Sequence, residues 1–153
     1  MLADVSASAR LSRVARTTAL ALALAWIALG VQADAEHEVY YRYTILGFAK
    51  DARGRPLGGR QLELVREKTG FSYLGETDAK GFYLIIARLG DESAGESLTL
   101  RAGPTATRLV AVFDPANHTE HRGARVDLEG ARFVEQRSGF QATLLDALGA
   151  ATR

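Results

Sequence analysis

The residues best equipped for chemistry lie together in Asp114-Pro115-Ala116-Asn117-His118-Thr119-Glu120-His121, which holds two of the chain's three histidines. His118 and His121 are three residues apart, so a helical turn would aim both imidazoles at one ion. Glu120 or Asp114 would then add a carboxylate of the kind that zinc or copper accepts. The competing reading is an ordinary polar loop between strands, where Asp, Asn, Pro and His collect because they form turns and face water. That spacing is weakly specific, and the polar-loop reading takes precedence. Asn117-His118-Thr119 also has the form of an N-glycosylation acceptor, which matters only in a eukaryotic secretory pathway. Other chemistry is thinly represented. There is no cysteine, which excludes a thiolate nucleophile, a disulfide framework and a lipidated cysteine. No G-x-S-x-G elbow, H-E-x-x-H helix or Gly-rich phosphate loop occurs. The expectation is a protein that is not an enzyme, with no catalytic residue and no cofactor beyond the zinc or copper alternative.

A second group could bind without reacting. Tyr40, Tyr41, Tyr43, Phe71, Tyr73 and Tyr83 concentrate the aromatics in the first half of the domain. Strand alternation sends about half of them inward. Those left outside could form a flat platform for a sugar or a protein, because tyrosine combines apolar area with a polar tip.

The elements that must position these groups are strands. Val39–Leu46 is β-branched and aromatic without a helix period, and Val39, Tyr41, Tyr43 and Ile45 would share one face. In Gln61–Glu67, Leu62 and Leu64 alternate with the water-facing Glu63. Phe71–Thr77 follows, and Phe82–Ala87 is apolar on both faces, as a central strand would be. Ser97–Leu100, Thr107–Phe113, Ala124–Glu129 and Arg132–Glu135 bring the count to seven or eight. This is the number an all-β, Ig-like or prealbumin-like antiparallel sandwich uses. Ser138-Gly139-Phe140-Gln141 has the form of a capping box, predicting a short helix over Ala142–Leu148 that stops at Gly149. Phe140, Leu144, Leu145 and Leu148 would form its apolar stripe, and so short a helix must dock, by expectation on its own sandwich.

Two turn signals bracket the second and third strands: Gly54-Arg55-Pro56-Leu57-Gly58-Gly59 and Thr77-Asp78-Ala79-Lys80-Gly81-Phe82. Together with Leu46-Gly47-Phe48-Ala49-Lys50-Asp51 they resemble the carboxypeptidase regulatory-like (transthyretin-like, CnaB-like) β-sandwich family over roughly Tyr43 to Gly103. Phe48 departs from that outline, standing for its small aliphatic residue. The resemblance implies structural roles: Gly54 a turn glycine, Pro56 fixing φ before the next strand, and Asp78 with Gly81 a tight hairpin turn. It also implies an accessory, adhesive or docking module and not a catalyst. Transthyretin-like hydrolases of small purine-derived amides end in Tyr-Arg-Gly-Ser, whereas this chain ends Gly149-Ala150-Ala151-Thr152-Arg153, which counts against that alternative.

The N-terminus reads as a secretory leader over residues 1–35, with Arg10, Arg13 and Arg16 before the apolar Ala19–Leu29 run and a small-residue site at Ala33-Asp34-Ala35. Residues 36–137 would form the sandwich and 138–153 the helix and tail. The apolar run is too short to span stably, so no membrane insertion is expected after cleavage. Cleavage after Ala35 would make His37 second in the mature chain, and cleavage at the alternative Val31-Gln32-Ala33 site would make it fourth, whereas amino-terminal copper motifs need histidine first or third. The 19 Lys+Arg and 18 Asp+Glu include three arginines and two aspartates of the leader, which leaves a balanced mature chain. Nothing in that balance favours nucleic acid. The combined reading is a periplasmic or secreted noncatalytic module that binds an envelope protein or a glycan, with periplasmic metal binding as the alternative.

Overall fold

Strand-forming runs separated by glycine-marked turns fold, in the computed structural model of residues 39–152, into eight strands and one helix. The expected leader and His37 lie outside the described residues. The strands are β1 (Tyr41–Lys50), β2 (Gln61–Arg66), β3 (Ser72–Glu76), β4 (Phe82–Leu89), β5 (Ser97–Ala102), β6 (Thr105–Val110), β7 (Arg122–Glu129) and β8 (Arg132–Glu135), followed by α1 (Phe140–Ala151). They form two four-stranded sheets, in the orders β4-β1-β7-β8 and β3-β2-β5-β6. Tyr43, Ile45, Tyr83, Ile85 and Val126 of the first sheet meet Leu62, Leu64, Leu98 and Leu100 of the second in one core. The fold is thus the β-sandwich with a C-terminal helix that the alternation indicates, with one departure: β1 and β7 run parallel.

The first sheet is buried on its inner face and, toward the Phe82 end of β4, on its outer face as well. β1 hides Tyr43, Ile45 and Ala49 in the sandwich and Leu46 beneath α1, where Phe140 and Leu144 close a second cluster with Phe82 and Leu84. Gly123 permits this docking, because any Cβ there would strike the Thr44 carbonyl and the Phe140 ring. The two-faced apolar character of Phe82–Ala87 therefore does not mark a central strand: β4 is an edge. Its outer residues are covered in part by the helix, and β1 and β7 occupy the centre. Val39 precedes β1 and is exposed, so only Tyr43 and Ile45 of the expected face are fully inward.

The helix also differs at its start. A 3-10 turn at Arg137–Gly139 precedes it, and its cap position, Gly139, makes no side-chain hydrogen bond. Gln141 does not reach back to Ser138; its Nε2 donates to the His121 carbonyl, 2.8 Å away. The helix runs through Gly149 to Ala151. Of the expected stripe, Phe140 and Leu144 are buried, whereas Leu145 and Leu148 are exposed.

The two turn signals converge in space. Gly54 and Gly81 both have φ of 79°. Ala49 N–H donates to the Gly81 carbonyl at 2.8 Å, and Leu57 N–H donates to the Ala49 carbonyl at 2.9 Å. The buried Thr77 hydroxyl accepts from Arg60 N–H at 2.8 Å and donates to the Leu57 carbonyl at 2.5 Å. Pro56 forms an isolated bridge with Lys50. Asp78 Oδ1 accepts from the N–H groups of Lys80 and Phe82 at 2.8 and 2.9 Å. The turn is tight but joins no hairpin: β3 belongs to one sheet and β4 to the other, so Asp78–Gly81 is the corner between them. The inward position near the end of β1 belongs to the small Ala49, while Phe48 faces outward against Phe82, 5.4 Å between ring centres.

Candidate functional site

The Asp114–His121 loop is organised by the first residue of the strand that follows it. Arg122 is buried, its guanidinium lying 4.6 Å from the Tyr41 ring centre and 4.3 Å from that of Phe113. Its Nη2 donates to the carbonyls of Asp114, Pro115 and Asn117, and its Nη1 to Asp91 Oδ1 at 2.9 Å. His118 stacks on Tyr41 and contacts the other Asp91 oxygen through Nε2 at 2.8 Å. Partial desolvation pushes the Asp91 carboxyl up, but hydrogen bonds and charge from His118 and Arg122 outweigh it and hold the group below its ordinary value. Asp114 Oδ1 closes a local turn on Ala116 N–H. Among the described residues no three His, Asp or Glu side chains gather in a way that could hold a metal ion. Of the four expected residues, Asp114, Glu120 and His121 line one cleft of about 240 Å³ with Arg122, while His118 is committed to Asp91, a carboxylate outside the expected set.

The aromatics divide as alternation requires. Tyr43 and Tyr83 are core residues, and the Tyr83 hydroxyl donates to the Val126 carbonyl. Burial, with a contribution from the Asp127 charge, raises the Tyr83 hydroxyl well above its ordinary value, so it stays protonated. Tyr40, Phe71 and Tyr73 instead line a cleft of about 360 Å³ with Arg66, Thr69 and Arg88. Phe71 is 60% exposed and Tyr40 46%. Phe71 and Tyr73 lie 5.2 Å apart, ring centre to ring centre.

Two polar devices hold this cleft. The Tyr73 hydroxyl bridges to β4, donating to the Arg88 carbonyl at 3.4 Å and accepting from Arg88 N–H at 3.2 Å. Arg66 grips Glu96 through two hydrogen bonds of 2.7 Å and also reaches Ser93. Those bonds lower the Glu96 carboxyl against the opposing effect of burial, and they raise the Arg66 guanidinium. Arg66 is thus neutralised in place, whereas Arg88 makes no side-chain hydrogen bond or ion pair among the described residues. The outward aromatics were legible from composition; their meeting with Arg88 depends on how two sheets abut and has no signal in the sequence.

A second cleft of about 390 Å³ lies between α1 and the Asp78–Gly81 corner, with Phe48, Phe82, Lys80, Arg125 and Asp146 on its walls. Arg125 there is bound to Asp127 and to Thr143 of α1, and the two rings pack together, so the docking of the helix already accounts for these placements. No family model matches the chain, and no curated protein matches it.

Proposed function

We propose that the chain is an exported, noncatalytic β-sandwich module of the cell envelope that binds a glycan or protein through the cleft of Tyr40, Phe71 and Tyr73. One observation carries this reading. Aromatic groups from two separate stretches of sequence converge on one solvent-open cleft, with Phe71 and Tyr40 left 60% and 46% exposed. Single exposed rings are common on protein surfaces, but a cluster with polar groups at its rim is the usual make-up of a recognition site. The leader-like N-terminus supports export, and the family-like turns support an accessory role. The test compares the mature chain with Tyr40→Ala and Phe71→Ala variants of unchanged melting temperature on an oligosaccharide array and against purified envelope proteins. Binding should fall at least tenfold in both variants. Undiminished binding would move the site elsewhere on the sandwich.

A further inference from the structure

Arg42 and Arg88 are direct partners in the antiparallel β1–β4 ladder. Both are exposed, and both lie on the outer face, since their neighbours Tyr43, Ala87 and Leu89 point into the core. The backbone N–H and C=O of Arg88 are both engaged by the Tyr73 hydroxyl on the side away from β1. Arg42 and Arg88 therefore form a non-hydrogen-bonded pair, the kind in which facing side chains stand closest. Like charges so placed repel. Elsewhere at this end of the molecule each arginine has its acid: Arg66 has Glu96 and Arg122 has Asp91. Arg42 and Arg88 make no ion pair among the described residues.

Resting on the reading of the aromatic cleft as the binding face, we infer that its ligand is an acidic saccharide. A sugar carboxylate bridges Arg42 and Arg88 while the pyranose ring lies against Phe71 and Tyr40. A guanidinium pair matches a planar carboxylate bidentately. An extended peptide is disfavoured, because the Tyr73 hydroxyl already occupies the β4 edge at Arg88 and leaves no backbone groups there for a strand to join. Phosphate shares the anionic chemistry, so the experiment must separate the two.

The mature chain is applied to an array of uronic- and sialic-acid oligosaccharides, their carboxyl methyl esters and neutral sugars of equal length. The retained probes, together with inorganic phosphate, are then titrated by calorimetry into wild type, an R42Q/R88Q double variant and Phe71→Ala. The expected result is retention of acidic sugars with at least tenfold weakening on esterification, in R42Q/R88Q and in Phe71→Ala, and further weakening by salt. R42Q/R88Q should melt at or above wild type, because a repulsion is removed. Equal binding of esters and neutral sugars overturns the carboxylate but leaves the cleft standing. Phosphate binding as tight as any sugar, or no sugar bound at all, overturns the inference. A lower melting temperature in the double variant overturns it as well, by making the arginines structural. Acidic-sugar binding that survives Phe71→Ala unchanged instead defeats the assignment of the cleft.

Discussion

At Gly81 a side chain is excluded twice over. Its φ of 79° belongs to the left-handed region, and an added Cβ would strike the carbonyl oxygen of Ala49, which already accepts from Leu57. Gly81→Val should therefore cost about 3 kcal/mol or more. Asp78→Ala loses only two hydrogen bonds at an exposed turn, about 1–2 kcal/mol. Thermal melts of the two variants check the order, and equal midpoints would contradict the corner geometry. Two further glycines make the opposite pair. At Gly123 a Cβ meets the Phe140 ring, whereas at Gly149 it meets open space inside a helix. Gly123→Ala should undock the helix and lower the denaturation midpoint; Gly149→Ala should raise stability by about 0.5–1 kcal/mol. Both turn glycines were legible because positive φ has so strong a residue preference. The contacts of the histidine loop were not legible for the converse reason: His118 takes its place from Asp91 and Tyr41, which lie far away in sequence. The Arg122 that binds three of the loop's carbonyls looks, in sequence, like any strand-end arginine.

Among the elements, strand existence was far more legible than strand position. Alternation marks Leu62 and Leu64 or Leu98 and Leu100 as inward, because their sheet faces water on its other side. In the first sheet the helix covers part of the outer face, so Leu46 and Leu84 break the alternation, and apolar character no longer distinguishes edge from centre. The capping-box signal failed because Gln141 found a partner across the fold at His121. What fixes α1 against β7 is partly polar. Asp127 is buried and accepts from Phe48 N–H, Arg125 and Gln136, and Arg125 passes on to Thr143. Between β2 and the chain leading into β5, the Arg66–Glu96 pair has the same linking role, with side chains 12% and 5% exposed. The folded Glu96 carboxyl is lowered, chiefly by Arg66. The stability it adds is complete above the unfolded value, about 4.3, and is lost as pH falls through the lower folded value. Glu96→Gln should therefore melt below wild type at neutral pH, and the difference should shrink as the pH is taken down through the acid range. A difference that stays constant into acid would mean that the charge on Glu96 adds nothing.

For the molecule as a whole, the asymmetry between the two sheets is the organising fact. The second sheet presents a mixed outer face to water, with Arg108 paired to Glu67 beside Thr99 and with Leu74 and Val110 exposed. The first needs α1 as a third layer, since without it Leu46, Phe82 and Leu84 would meet water. The cleft of Tyr40, Phe71 and Tyr73 lies at the Arg88 end of β4, and the C-terminal part of α1 at the Phe82 end. Six residues of strand separate those ends, about 20 Å, so the helix can stabilise the domain without shaping the binding face. With no cysteine to cross-link the chain, core burial must supply stability that for a domain totals only about 5–15 kcal/mol. Phe140→Ala removes a ring that is 4% exposed and should cost about 3–5 kcal/mol, a large part of that total. Leu145 and Leu148, 61% and 47% exposed on the same helix, are different: Leu145→Glu/Leu148→Glu should change stability by no more than about 0.5 kcal/mol per site. Denaturant midpoints for the three proteins decide the matter. A large loss in the leucine variant would mean that the helix docks through its other face, and an unchanged Phe140→Ala midpoint would mean that the first sheet stands without its third layer.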